Sequence, residues 1–213
     1  MRVSRDARKM IGNFRSPRVP LTLSILLCPI AALASEIREF DIKTLERLGN
    51  ELTRESQRPD GGATSPVRKR AKQTAMQAVL PRLNGVYGPK YNFEVLNDPD
   101  GSGFLVYALA TFRDRSAIYL GGHFRITVSA DGAKAERIDD LSRGIIRNPV
   151  PAGAKPRVIG TAQAVDSKYP VETVIYESNL YKIPIGVGTR DGTIWMVANG
   201  RIQNTGEKSA GRK

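Results

Sequence analysis

The sequence predicts an α+β fold, with one or two N-terminal helices packed on a curved antiparallel meander sheet. Two observations predict it. Apolar residues recur every three to four positions up to about residue 81, and from residue 86 onward they recur every second position. The second region is also punctuated by Asp100-Gly101, Asp131-Gly132, Asp191-Gly192 and Asn199-Gly200. Such pairs adopt positive φ at little cost, which makes them hairpin turns, and successive hairpins build a meander.

Residues 1–34 precede this fold and read as a secretory signal peptide. Arg2, Arg5, Arg8, Lys9, Arg15 and Arg18 are opposed only by Asp6, and an uncharged apolar run follows from Leu21. Ala32 and Ala34 supply the small residues a signal peptidase admits, so cleavage is expected between Ala34 and Ser35. The run is about 14 residues long, short of the ~20 that span a bilayer, and Pro29 breaks it. No transmembrane span is expected after cleavage. Met10 is an alternative start to Met1 and changes nothing downstream.

Residues 35–85 form the helical segment. Over 37–56, Asp41 is positioned to cap and Ile42, Leu45, Leu48 and Leu52 return to one face, while Gly49 weakens the pattern. A Pro/Gly-rich linker over 57–64 leads to Ser65 and Pro66, an N-cap followed by a first-turn proline. Val67, Ala71, Ala75, Ala78 and Val79 then mark a stripe of small residues running to Pro81, suited to close approach to a sheet. The sheet domain occupies 86–203 and forms one globular unit with the preceding helix. Phe104 to Phe112 is apolar on both faces and reads as a central strand. Phe124, Ile126 and Val128 alternate with His123, Arg125 and Thr127, and two further strands are expected around Ile183–187 and Ile194–197. A long loop over 143–158 divides the strands into two groups, and 204–213 reads as a disordered basic tail.

Composition closes several chemistries. The full chain has 33 Lys plus Arg against 21 Asp plus Glu, a net +12. Removal of residues 1–34 leaves 27 against 20, and the sheet region itself is close to neutral. The one cysteine, Cys28, leaves with the signal, so disulfides, Cys/His metal clusters and thiol nucleophiles are excluded from the mature chain. No cofactor or metal is expected: glycine loops of the Walker or dinucleotide type are absent.

His123 is the only histidine, so any triad must run through it. Alternation puts it with Arg125 on the polar face of a strand, after Gly121-Gly122, two glycines that let a ligand approach the backbone. Tyr176, Tyr181 and Trp195 are expected on the last strands, and with His123 and Arg125 they compose the candidate ligand or partner surface. Asp98, Asp100 and Ser102 alternate as calcium ligands would, but the twelfth position of such a loop would be Leu109. Asp139, Asp140, Glu172 and Glu177 are candidate acid pairs that nothing in the sequence brings together. Arg68, Lys69, Arg70 and Lys72 form a basic patch expected to face water. Export and the lack of interleaved aromatics argue for an anionic lipid surface or acidic partner there, and against nucleic acid.

The order of export signal, small-striped helix and hairpins resembles the cystatin-like, PepSY-like and nuclear-transport-factor-2-like families. The segment Gly121-Gly-His-Phe-Arg-Ile-Thr-Val-Ser-Ala-Asp-Gly132 is similar to uncharacterised exported bacterial proteins of this layout. The resemblance implies binding, inhibition or chaperoning; the Gln-x-Val-x-Gly loop of inhibitory cystatins is absent. The expected function is therefore a periplasmic or secreted binding, adaptor or inhibitor-like domain without enzymatic activity, with a protein or small ligand of the cell envelope as partner. A cofactor-free hydrolase using His123 as general base, and a small-molecule or lipid carrier with a helix–sheet cavity, are the alternatives.

Overall fold

The computed structural model describes residues 36–59, 63–83, 90–114, 116–151, 153 and 156–208. The chain divides into residues 1–33 and a compact unit Ala34–Lys213, and only the second is described below. The expected signal, with Cys28, Ala34 and Ser35, lies outside the described residues.

Helix α1 is Ile42–Glu55, and the Asp41 carboxylate accepts the Thr44 N–H at 2.9 Å, the N-cap bond the sequence predicts. Its buried stripe is Leu45, Leu48, Gly49 and Leu52. Helix α2 is Pro66–Leu83, with Ser65 Oγ accepting from Arg68 N at 3.3 Å, and it runs two residues past Pro81. Ala71, Ala75 and Val79 are fully buried, whereas Val67 stays exposed. Strands β1 (Lys90–Asn97), β2 (Phe104–Thr111), β3 (Ala117–Gly121), β4 (Phe124–Val128), β5 (Ala135–Asp140) and β6 (Ile145–Pro149) follow. Then come β7 (Ile159–Ala162), helix α3 (Glu172–Tyr181), β8 (Ile185–Gly188), β9 (Thr193–Ala198) and β10 (Arg201–Lys208).

The α+β class holds, but the strands form more than one sheet. β1-β2-β4-β5 make one four-stranded antiparallel sheet, β10-β9-β8-β7 a second, and β3-β6 a two-stranded ribbon. All four turn pairs join antiparallel neighbours, β1-β2, β4-β5, β8-β9 and β9-β10. At the last of these Ala198 pairs with Arg201 across Asn199 (φ 52°) and Gly200 (φ 74°), the two-residue turn whose twist suits a hairpin. One pair breaks the meander: β7 and β8 are parallel, because α3 carries the chain back between them.

The small-residue face of α2 packs on one side of the first sheet, against Phe93, Val95, Val106, Ala108, Phe124, Ile126 and Val128. The opposite side meets α1 and α3, which also touch the second sheet and lie between the two. This explains β2, whose Leu105, Tyr107 and Leu109 enter one core and Val106 and Ala108 the other.

Three expectations need correction. Tyr176 and Tyr181 sit on α3 rather than on strands. Residues 172–178 are all buried, so this helix carries no polar stripe to betray it, and Thr173, Val174 and Ile175 are β-branched residues that read as strand. The loop over 143–158 contains β6, which ends at Pro149, opposite Ala117, where a ladder tolerates a residue without an N–H. Residues 204–208 are not a disordered tail but belong to β10, paired as far as Lys208 with Thr193; residues 209–213 lie outside the described residues.

Candidate functional site

Strand alternation assigns the two faces of β4 correctly, but the face expected to meet solvent is covered by the α1–α3 layer. His123 is 3% exposed and Arg125 1%. Trp195 is buried too; its Nε1–H donates to Thr189 Oγ1 at 3.2 Å and its ring meets Tyr169 edge-on at 5.5 Å. Tyr176 is buried against His123, and Tyr181 donates its hydroxyl to the Tyr119 carbonyl at 3.2 Å. His123, Arg125, Trp195 and Tyr176 belong to the interior and Tyr181 is half-buried, so the five do not compose an open surface.

Two polar clusters organise that interior. In the first, Arg125 donates to Glu172 Oε1 at 2.7 Å, to Asp139 Oδ2 at 2.8 Å and to the Arg38 carbonyl. Tyr107 donates to the same Glu172 oxygen at 2.8 Å, and Arg137 holds Asp139 from outside at 2.6 Å. Burial opposes the Arg125 charge, but Glu172, Tyr107 and Asp139 outweigh it and hold its pKa above the ordinary arginine value. Burial, and then the Glu172 charge, pushes the Tyr107 phenol well above its ordinary value. Two guanidinium groups lie over the Phe40 ring, Arg38 at 4.9 Å and Arg125 at 4.8 Å. Asp139 and Glu172 thus share one buried cation and do not flank a cleft as a glycosidase pair would.

The second cluster is built on Gly121 (φ 88°) and Gly122 (φ 78°), which turn β3 into β4. A Cβ on Gly121 would sit 2.5 Å from the Gly144 carbonyl, and one on Gly122 2.8 Å from Ile145 Cγ1, so only glycine fits either position. Their consecutive amides fix two side chains. Gly121 N–H donates to Glu177 Oε1 at 2.5 Å, and Gly122 N–H donates to Ser142 Oγ at 2.6 Å. His123 N–H also donates to Ser142 Oγ, at 3.2 Å. The His123 ring completes the arrangement. Nδ1 accepts the Ala110 N–H at 3.0 Å, which places the ring proton on Nε2, and Nε2–H donates to Glu177 Oε1 at 3.0 Å.

Glu177 and Ser142 line a cleft of about 50 Å³ between β3, β6, β7 and α3. Its walls are mostly apolar, among them Leu120, Leu141, Ile146, Val174 and Val187, with Thr161, Gln163 and Thr173 also present, and among the described residues Glu177 is the one charged residue lining it. Such a volume holds a few water molecules or the end of a slender ligand.

No family model, curated protein or solved structure matches the chain. The site stands on its own geometry.

The remaining candidates have other partners. Asp98 takes both guanidinium nitrogens of Arg38, at 2.6 and 2.7 Å, and Asp100 takes a third bond at 2.9 Å, so the calcium-like spacing serves an ion pair. Among the described residues no group of three or more His, Cys, Asp or Glu converges as a metal site would require. In the basic patch Lys69 and Arg70 are exposed, but Arg68 reaches the sheet, donating to Asn97 Oδ1 at 2.6 Å and to the Val95 carbonyl. Arg70 donates to the Asp131 carbonyl at 3.4 Å, and Lys72 is half-buried. The patch is therefore partly spent on docking α2. Sequence reading singled out Gly121-Gly122 and His123 but not Ser142. It saw Glu177 only as one carboxylate among four, since its partner lies 54 positions away.

Proposed function

We propose that this chain is an exported binding domain of the cell envelope, without enzymatic activity, whose ligand or partner enters the cleft at Glu177. The observation that carries the reading is the way that cleft is built. Its Glu177 carboxylate and Ser142 hydroxyl are held by consecutive main-chain amides and a buried histidine, so they are fixed in place before any ligand arrives. A fixed carboxylate and hydroxyl among apolar walls are the ingredients of a recognition site. No described helix is long and apolar enough to cross a membrane.

Neither alternative gains support. A general base needs a ring nitrogen free to take a proton, and both nitrogens of His123 are engaged. Lipid carriage needs a cavity of roughly 300 Å³ or more, and the helix–sheet interfaces here are filled by side chains without exposure. Nothing observed favours the basic patch as a lipid-binding surface.

Two measurements test the proposal. N-terminal sequencing of the protein recovered from envelope or medium should begin at Ser35; recovery of Met1 or Met10 instead would remove export. Titration of the 15N-labelled protein with small apolar fragments should move the amide signals of Gly121, Gly122, Ser142 and Thr161 together. Ile146→Trp, filling the cleft from an exposed position, should abolish those shifts. Shifts scattered over the surface, or unaffected by the tryptophan, would refute the cleft as the site.

A further inference from the structure

We propose that the ligand group received by the cleft is a primary alkylammonium, bound through Glu177 Oε2; this rests on the cleft being the binding site. Glu177 is 3% exposed, and its Oε1 already accepts two hydrogen bonds, from Gly121 N–H and His123 Nε2–H. Both of these bonds go to Oε1, and Oε2 is not sealed from solvent without a partner, so it remains open to the cleft that Glu177 lines. The His123 ring beside it is neutral, because the Ala110 N–H occupies Nδ1, so it supplies a dipole and no compensating charge. Among the described residues no Lys or Arg lines the cleft.

A carboxylate so placed is a fixed acceptor at the cleft, with no cationic side chain among the described lining residues. A cation entering the cleft pairs with it, and the apolar walls strengthen that attraction. The apolar walls favour a cation carried on an alkyl chain, the cleft of about 50 Å³ taking its –NH3+ head. Leu141, Ile146 and Val187 offer apolar surface to that chain. Ser142 adds selectivity: its oxygen is filled by two N–H donors, so its own O–H remains to donate to a hydroxyl or carbonyl on the ligand.

The test compares n-butylammonium with its neutral analogue 1-butanol and with butyrate by amide-shift titration of the intact mature chain. The ammonium should bind at least tenfold more tightly than the alcohol, and butyrate should not bind. Glu177→Gln keeps an oxygen for Gly121 and His123, so the fold is retained, and it should bring amine and alcohol to within about threefold of each other. Should that variant not fold, Ile146→Trp, which leaves Glu177 in place, must abolish amine binding. The capped lysine Nα-acetyl-lysine N-methylamide separates sources: tighter binding than butylammonium assigns a peptide side chain, weaker binding a free amine. Equal binding of alcohol and amine by the unmodified protein overturns the ammonium class and leaves the cleft as a site. If no probe moves the cleft amides, both proposals fall.

Discussion

At Arg125 one guanidinium serves two buried carboxylates, of which Asp139 is also held by Arg137. Glu172 is 0% exposed and Asp139 1%. A buried ion pair of this kind is weak evidence of net stabilisation, since desolvation consumes most of the Coulomb gain. Breaking it is another matter, because Glu172 then remains buried without its cation and Asp139 keeps only Arg137. Arg125→Met is therefore expected to lower unfolding stability by about 3–5 kcal/mol in urea denaturation. Adding Glu172→Gln and Asp139→Asn should recover much of the loss, since the stranded charges go with the cation. A single-variant loss below ~1 kcal/mol would mean that Arg125 is not what neutralises these carboxylates.

At the scale of elements, the contact of α1 with α3 decides how close the two sheets' shared helical layer can be. Gly49 lies where a Cβ would come 2.5 Å from Ile175 Cβ and 2.7 Å from the Glu172 carbonyl. Beside it Asn179 Nδ2 donates to Asn50 Oδ1 and to Thr53 Oγ1, both at 3.1 Å. Helix propensity alone favours Gly49→Ala by about 1 kcal/mol, but the backbone oxygen cannot move aside, so the variant is expected to destabilise by ~1–3 kcal/mol. Gly160→Ala, in β7 with open space around its Cα, should be neutral or slightly stabilising. Thermal melts of the two variants check both signs at once. The same glycine shows what the sequence could disclose. Asp41, the α1 stripe, the Ser65–Pro66 start and the four turn pairs are local signals, readable within a few residues of where they act. Gly49 looks like a flaw in a helix until its neighbour is known, and that neighbour, α3, is invisible because burial on every side removes periodicity. With α3 hidden, strand alternation places the second face of β4 in water and reads His123 and Arg125 as surface, whereas α1 and α3 cover them. Glu177 and Ser142 converge on the Gly121–Gly122 turn from 56 and 20 positions away, a relation no local pattern encodes.

For the whole molecule, buried phenols set the alkaline limit of stability. Burial, then the Glu172 charge, raises Tyr107; burial, then the Glu94 charge, pushes Tyr176 up to about 12. A group whose folded pKa lies above its unfolded value withholds its proton loss from the native state. Stability is fully present below about pH 10, the ordinary tyrosine value, and is lost as pH rises from there through the folded values. The melting temperature is expected to hold through neutral pH and fall steeply above pH 10. Absorbance at 295 nm should show Tyr107 and Tyr176 ionising only as the fold is lost. If all seven tyrosines ionise near the ordinary value with the fold intact, the phenols are not buried as described. At the acid end Asp98 works in the opposite sense. Burial raises its pKa, but the Arg38 hydrogen bonds and the Asp100 N–H outweigh burial and lower it, so its contribution disappears as pH falls below about 4.

The segment around Phe40 has a bearing on how the chain reaches this state. Glu36 gives its carbonyl to Arg137, Arg38 N–H reaches Asp139, and Glu39 accepts from Lys168 N–H, at separations of 101, 101 and 129 residues. A chain synthesised or delivered N-terminus first therefore presents these residues at the beginning, yet their partners arrive only after most of the sequence has followed. The strap that closes over the Arg125 cluster must wait, and a topology so dependent on distant pairings folds slowly. Early trimming at residues 36–40 would thus leave a chain that carries every helix and strand but lacks the clasp that seals its buried charges.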